Sequence, residues 1–247
     1  MIPGPEAAPR ADIVQPRRGK RSPRLGPVAI LAATGPDVAL LAARLGATSD
    51  VERPLFISRL FPGRDGAASL AGPAIGAPYA AMIVETLAAW GVKALVFVGW
   101  CGAVAPELAV GGVVVPGAGL IDEGTSRHYA ADATVSRPSP RLAERLAQTC
   151  TAAGLTVSTG GVWTTDAAFR ESPEKVERFR GLGAAAVDME ASAVFTVAAF
   201  LGIEAAALLL VSDELSTLTW RPGFNAPQFL GTRETACRAV AELAGRL

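Results

Sequence analysis

Two acidic segments carry the side chains whose types and spacing could do chemistry. One is the run Asp188-Met189-Glu190, and the other is Asp213, which follows an apolar stretch that reads as a strand. Near the start of a helix, the Glu190 carboxylate could accept hydrogen bonds from vicinal sugar hydroxyls. At the carboxyl end of its strand, Asp213 could donate a proton to a leaving base. Together the two segments predict cleavage of the bond between a sugar and a base.

Both segments also have a purely structural interpretation. Aspartate is a preferred residue at helix N-termini, where its side chain accepts hydrogen bonds from backbone N–H groups. Asp188 and Asp213 could each cap a helix in this way. The residue types alone leave both interpretations open.

Composition limits the classes of protein to which this chain can belong. Of its 247 residues, 50% are apolar and 19% are charged, and the formal net charge is zero. A chain of this size can bury one large core, so we expect a single domain over residues 27–247. Because no basic surface is indicated, nucleic acid is not expected as a partner, and a small neutral or anionic ligand is favoured.

Residues 1–26 differ from the rest of the chain, because arginine and lysine outnumber acidic residues there and prolines recur. Prolines interrupt any helix, so we expect a basic, proline-rich N-terminal arm. Its role stays open between a solvated tail and a clamp on a neighbouring subunit.

The three cysteines are odd in number and include no CxxC pair. Neither a disulfide framework nor a zinc site is therefore predicted, no other metal or cofactor is expected, and a reducing cytoplasm is favoured. No apolar run of about 18 residues lacks a charge or a break, and the N-terminus has no apolar signal core. We therefore expect neither membrane association nor secretion.

Apolar runs alternate with helical patterns from residue 27 onward, which predicts an α/β fold. The expected architecture is a three-layer sandwich with a central mixed, mostly parallel sheet flanked by helices, and with ligands outside the carboxyl ends of the strands. The pattern predicts strands over 28–33, 55–61, 94–98, 113–115, 156–163 and 205–211, a hairpin turn over 63–66, and helices over 36–45, 77–90, 140–153, 173–180, 189–201 and 228–246.

Three other segments invite a functional interpretation. The run 72–78 lacks the full glycine fingerprint of a dinucleotide site. Cys101 is favoured as a buried, inert thiol, because the chain has one histidine to activate a nucleophile. That residue, His128, lies in the polar run 122–129, for which a functional and a solvated loop stay equally open.

Several motifs in consistent order resemble those of the purine nucleoside and uridine phosphorylase family, which includes the methylthioadenosine/adenosylhomocysteine nucleosidases. The motifs are Gly76-Ala77-Pro78, the run 98–106, Gly112 to Pro116, Asp188-Met189-Glu190-Ala191 and Val211-Ser212-Asp213. The resemblance spans residues 27–247 and implies the fold of nucleoside phosphorylases.

The resemblance also implies roles for the site residues. Met189 would pack under the ribose, Glu190 would bind its 2′ and 3′ hydroxyls, and Asp188 belongs to the same ribose site. Asp213 would protonate the base, and Phe169 is the second candidate for binding it. A purine is expected, because uracil-specific members carry an amide in place of this acid.

The nucleophile site departs from the pattern of the phosphorylases. An aspartate, Asp37, stands where a phosphate-binding arginine is expected, and Phe97 and Trp100 replace a second arginine and a hydroxyl residue. Phosphorolysis, hydrolysis with Asp37 as the base that activates water, and a nucleoside-binding protein without turnover therefore stay open. The candidates for the phosphate or nucleophile site are Gly35, Gly99, Trp100 and Arg53.

The resemblance further implies a homo-oligomer, from dimer to hexamer, in which Arg53 would serve a neighbouring subunit. Phe56, Leu60 and Phe61 lie in a segment with little charge, which is typical of a surface covered in an assembly.

Overall fold

The structure is a computed structural model that describes residues 12–20, 22–63 and 66–247. Its strands are β1 (Val28–Ala32), β2 (Arg53–Leu55), β3 (Ser58–Phe61), β4 (Ser69–Gly72), β5 (Ala94–Ala103), β6 (Val113–Val114), β7 (Ala118–Asp122), β8 (Val135–Ser136), β9 (Val157–Ser158), β10 (Gly161–Thr165), β11 (Ala184–Asp188), β12 (Glu204–Glu214) and β13 (Arg221–Pro222). Its longer helices are α1 (Gly35–Arg44), α2 (Ala77–Ala89), α3 (Pro140–Ala152), α4 (Pro173–Gly181), α5 (Ala191–Leu201) and α6 (Pro227–Ala244).

The central strand of the sheet is β5. It pairs in parallel with β12 along its whole length, in parallel with β1 over its first half, and antiparallel with β11 at its carboxyl end. From β11 the sheet continues in parallel through β10 to β7, and from β1 in parallel to β4. The expected mixed, mostly parallel sheet is therefore confirmed.

Helices cover both faces of this sheet. Alternate residues of β1 point to opposite sides, so that Ala29 and Leu31 pack in a core with α2 and α5, whereas Val28 and Ile30 pack in a core with α1, α3 and α6. Burial on both faces explains why the central strands are almost continuously apolar. The three-layer arrangement places every helix against the sheet.

The two longest strands extend further than expected. The prediction ended β5 at Val98 and β12 at Val211, but the strands continue to Ala103 and Glu214. Gly99 and Trp100 therefore lie inside a strand, where the parallel ladder to β12 satisfies their backbone groups. The predicted end of the strand at Val98 is therefore wrong.

Two expected strands are each divided, and five strands were not anticipated. The segment 55–61 lies in the hairpin of β2 and β3, with a positive φ at Phe56, and 156–163 is divided between β9 and β10. Strands β4, β7, β8, β11 and β13 were missed because they are at most five residues long and three of them contain alanine or glycine, which are weak strand formers. Pairing with neighbours decides their conformation instead.

The hairpin segment is less exposed than its composition suggested. Leu60 and Phe61 are buried inside the chain, whereas Phe56 and Ile57 at the tip are exposed. The turn expected over 63–66 includes residues 64 and 65, which lie outside the described residues. Its flanking strands β3 and β4 do pair antiparallel.

The described part of the N-terminal arm runs beside the end of α2. Leu25 is buried, its N–H donates to the carbonyl of Trp90, and the Trp90 indole N–H donates to the carbonyl of Arg17. Residues 1–11 and 21 of the predicted arm lie outside the described residues. Across the part of the chain that the structure describes, no helix has the length and apolar character needed to cross a membrane.

Replacing Phe195 by alanine should lower the free energy of unfolding by about 3–5 kcal/mol, because this side chain is fully enclosed between α5 and the sheet. The matched control is Phe200→Ala on the same helix, whose ring is 58% exposed and should cost much less. Urea denaturation of both variants checks the prediction. Equal losses would contradict the packing of α5 described above.

Candidate active site

The carboxyl-terminal parts of β1, β5, β11 and β12 converge on one cavity with a volume of about 650 Å³. Its walls combine backbone of these strands with side chains from the loops that follow them. The lining residues are Ala33, Thr34, Ile75, Trp100, Cys101, Gly102, Ala168, Phe169, Glu171, Val187, Asp188, Met189, Glu190, Ser212, Asp213, Leu215, Trp220 and Phe224. The segments singled out in the sequence, Asp188-Met189-Glu190 and Asp213, thus meet at the same cavity.

Glu190 lies immediately before α5 and is 4% exposed. Its Oε1 accepts a hydrogen bond of 2.6 Å from the backbone N–H of Gly76, at the start of α2. Burial raises the pKa of Glu190, and the neighbouring Asp188 carboxylate raises it further. A ligand that donated hydrogen bonds would stabilise the charged form.

Asp188 holds the start of α5 in place. Its Oδ2 accepts from the backbone N–H groups of Ala191 at 2.7 Å and Glu190 at 3.2 Å, and its Oδ1 accepts from the Thr164 hydroxyl at 2.6 Å. Burial raises the pKa of Asp188 despite these bonds. The carboxylate therefore caps the helix while it also lines the cavity.

Asp213 lies within β12 and caps no helix, so the structural interpretation of this residue is wrong. Its Oδ1 accepts from the Ser212 hydroxyl at 2.7 Å, and its Oδ2 accepts from the Trp220 indole N–H at 2.9 Å. The two donors fix the direction in which the carboxyl group faces the cavity. Trp220 was not identified from the sequence, because it lies in the loop after the strand.

The remaining sugar and base candidates line the cavity as well. Met189 is half-buried beside Glu190, and Phe169 stands at the mouth with its ring 94% exposed. Glu171, two residues after Phe169, was missed by the sequence reasoning. Burial, followed by the charge of Asp213, raises the pKa of Glu171 to about 7, and Lys175 acts in the opposite direction.

Trp100 also lines the cavity, and it occupies the position for which the resemblance implies a phosphate-binding hydroxyl residue. Its indole N–H donates to Asp37 Oδ2 at 2.7 Å, and that oxygen also accepts from the Thr34 hydroxyl at 2.8 Å. Asp37 Oδ1 faces Arg233 Nε at 3.6 Å without a hydrogen bond. The indole packs edge-on against Phe229 at 5.1 Å.

Asp37 is completely buried and does not line the cavity. Burial raises its pKa, while the bonds from Thr34 and Trp100 and the charge of Arg233 lower it. A base that activates water must lie within hydrogen-bond reach of that water. In this arrangement Trp100, and not the Asp37 carboxylate, faces the cavity.

Three other candidates for the nucleophile site lie outside the lining. Gly35 is the first residue of α1, and Gly99 is buried in β5, where an added Cβ would lie 2.9 Å from the Phe97 ring. Arg53 lines a separate cavity and donates to the backbone carbonyls of Asp50 and Glu52. Among the described residues, no lysine, arginine or histidine lines the cavity.

Cys101 and the polar run 122–129 have supporting positions. Cys101 lines the cavity, but burial raises the pKa of its thiol well above the usual value, so the protonated, unreactive form prevails. In the polar run, buried Glu123 accepts from the Ser192 hydroxyl of α5 at 3.0 Å. His128 is exposed and lies outside this lining.

Comparison with known proteins agrees with the fold and the motifs. A sequence model of the phosphorylase superfamily matches residues 27–246. The chain therefore belongs to the phosphorylase superfamily, as the resemblance implied.

The similarity extends to individual relatives. The DeoD-type purine nucleoside phosphorylase of Bacillus cereus strain B4264 is 32% identical over 156 residues, which cover 60% of this chain and 64% of that protein. The chain thus matches less than two thirds of the relative's length.

Solved structures share the fold. Purine nucleoside phosphorylase from Toxoplasma gondii in complex with immucillin-H gives a TM-score of 0.80 at 20% identity, with 96% of this chain and 97% of that one covered. AMP nucleosidase from Bacteroides thetaiotaomicron gives a TM-score of 0.71 at 24% identity, with 90% and 91% covered.

Asp37 and Trp100 should be energetically coupled, because the indole N–H donates to the carboxylate. In a double-mutant cycle of Asp37→Ala and Trp100→Phe, the loss of unfolding free energy in the double variant should differ from the sum of the two single losses by about 0.5–3 kcal/mol. Urea denaturation of the four proteins gives this value. Trp90→Phe is the matched control, since that ring packs on the other face of the sheet and should be additive with Asp37→Ala. Additivity of Trp100→Phe with Asp37→Ala would contradict the contact.

Proposed function

We propose that the protein cleaves the N-glycosidic bond of a purine nucleoside in this cavity. The observation that carries the proposal is the convergence of Met189, Glu190 and Asp213 on one cavity at the carboxyl ends of the strands. One wall supplies a sugar acceptor and the other supplies an acid for the base. Both groups are needed for the reaction, and each is held by hydrogen bonds from the protein.

At the sugar, Glu190 accepts hydrogen bonds from the 2′ and 3′ hydroxyls, and Met189 packs against the ring. As the bond to the base lengthens, the sugar becomes positively charged. A buried carboxylate bonded to its hydroxyls is attracted to that charge more strongly in the transition state than in the ground state. Glu190 therefore lowers the barrier and does not merely bind the substrate.

At the base, Asp213 gives its proton to N7 of the purine. The departing base then leaves as a neutral molecule instead of an anion, which makes it a better leaving group. The Trp220 indole donates to Oδ2 and the Ser212 hydroxyl to Oδ1. These donors stabilise the carboxylate that remains once the proton has left.

Inorganic phosphate is the proposed nucleophile, and similarity to a purine nucleoside phosphorylase supports this choice. Water is the second candidate, favoured by a specific observation: the described lining contains carboxyl groups but no cation to offset the charge of a dianion. In either case we assign Asp37 to holding Trp100 in position. For phosphate, a cation such as Arg53 would have to come from a neighbouring subunit.

The assembly and location are part of the same proposal. We expect a cytoplasmic homo-oligomer with one domain over 27–247 and a basic, proline-rich arm over 1–26. Exposed apolar side chains support an assembly, among them Phe56 and Ile57 on the hairpin and Ile75 and Phe169 beside the cavity.

Release of free base from a panel of nucleosides, with and without inorganic phosphate, tests the proposal. Release that requires phosphate is expected, and release in both conditions would assign the reaction to water. Asp213→Asn should reduce turnover by about 100-fold or more in either case, because it removes the acid. Absence of release from every nucleoside would refute cleavage and indicate a binding protein, and unchanged turnover of Asp213→Asn would remove this residue from the mechanism.

A further inference from the structure

Glu171 is a carboxyl group in the cavity that the reaction described above does not use. It follows a short 3-10 turn, Ala168–Arg170, that also carries Phe169, and both side chains line the cavity. Among the described residues, its carboxylate accepts no hydrogen bond from another side chain or from the backbone. The group is therefore free to bind a donor on a ligand.

The charged groups around Glu171 come from two elements. Asp213 of β12 is near enough for its charge to act on Glu171, and Lys175 of α4 acts with the opposite sign. Lys175 is already paired, since its Nζ lies 2.7 Å from Asp122 Oδ2. Glu171 thus shares the cavity lining with the proposed acid, and it has no ion-pair partner among the residues that the structure describes.

A purine carries N7 and the substituent at position 6 on the same edge. If N7 faces Asp213, the 6-substituent points toward the neighbours of that residue, and Glu171 is such a neighbour on the cavity wall. An exocyclic amino group would donate to a carboxylate there, whereas an oxo group would present lone pairs to it. A carboxylate acceptor at this place would therefore distinguish the two kinds of purine by hydrogen-bond polarity.

We propose that Glu171 is a specificity-determining residue that accepts a hydrogen bond from the 6-amino group of adenine, so that the cavity selects 6-aminopurines over 6-oxopurines. This inference rests on the proposed function for the orientation of the base. It adds a second contact to that edge, beside the one made by Asp213.

The preference should depend on pH. Because the pKa of Glu171 is raised to about 7, the group is a carboxylate acceptor above that pH and a neutral group with an O–H donor below it. The neutral form can donate to an oxo group. Selectivity for adenine should accordingly be large at pH 8 and small at pH 6.

Calorimetric binding of adenine and hypoxanthine to the intact protein at both pH values tests this inference. Free bases serve as probes because they contain no glycosidic bond to cleave. The unmodified protein should bind adenine about tenfold or more tightly than hypoxanthine at pH 8, with a smaller ratio at pH 6. Glu171→Gln should reduce the ratio to near one at both pH values, because an amide offers both a donor and an acceptor.

Glu177→Gln is the matched control, since it removes the same charge from an exposed position on α4 and should keep the preference. Retention of the preference in Glu171→Gln, a preference for hypoxanthine, or no binding of either base would overturn the inference. Binding of hypoxanthine by Glu171→Gln shows that this variant is folded. A preference for adenine that depends on Glu171, in a protein that releases no base from nucleosides, would support the inference and refute the proposed function.

Discussion

The constraint on which the site depends is the burial of the Glu190 carboxyl group. It is almost completely enclosed, and the backbone N–H of Gly76 donates to one of its oxygens. Burial raises the pKa of Glu190 above its value in the unfolded chain. As the pH rises from the unfolded-state pKa to the folded-state pKa, the unfolded chain loses this proton first, so the folded protein loses stability. Sugar hydroxyls that donate to the carboxylate would offset this cost. The carboxyl group thus lines the cavity at a place where hydroxyl donors from a sugar would stabilise its charge.

The surrounding structure keeps that acceptor in place. Asp188 fixes the first turn of α5 through two backbone N–H groups, and Thr164 of β10 fixes Asp188 in turn. Glu123 holds the Ser192 hydroxyl of the same helix turn. These contacts join β7, β10 and β11 to the start of α5. The polar run 122–129, whose role the sequence left open, therefore supports the helix that follows Glu190.

The sequence predicted the groups carried by regular elements better than those carried by loops. The strand before Asp213 and the helix after Glu190 have clear apolar patterns, so the convergence of the two acids at one edge of the sheet could be expected. Glu171 and Trp220 lie in a short turn and a loop, and no periodic pattern indicates which way their side chains face. Their positions depend on tertiary packing.

Asp37 shows a different limit of sequence reasoning. Alignment with a motif places a carboxylate near the nucleophile site, but it cannot show that the Trp100 side chain lies between that carboxylate and the cavity. The same holds for Gly99, which lies inside a strand because β5 extends beyond its most apolar part. The carboxyl-terminal boundary of β5 and the position of the Trp100 ring thus decide which residues a ligand can reach.

The most direct test of Glu190 as the sugar acceptor compares a riboside with its 2′-deoxyriboside. The account predicts that kcat/KM favours the riboside by about 10-fold or more in the unmodified protein, as expected for one charge-assisted hydrogen bond. In Glu190→Gln this ratio should fall to a few-fold, whichever nucleophile is used. Asp213→Asn, which acts on the base, should lower both rates and leave the ratio unchanged. An equal loss for riboside and deoxyriboside in Glu190→Gln would contradict the claim and leave Glu190 with a structural role alone.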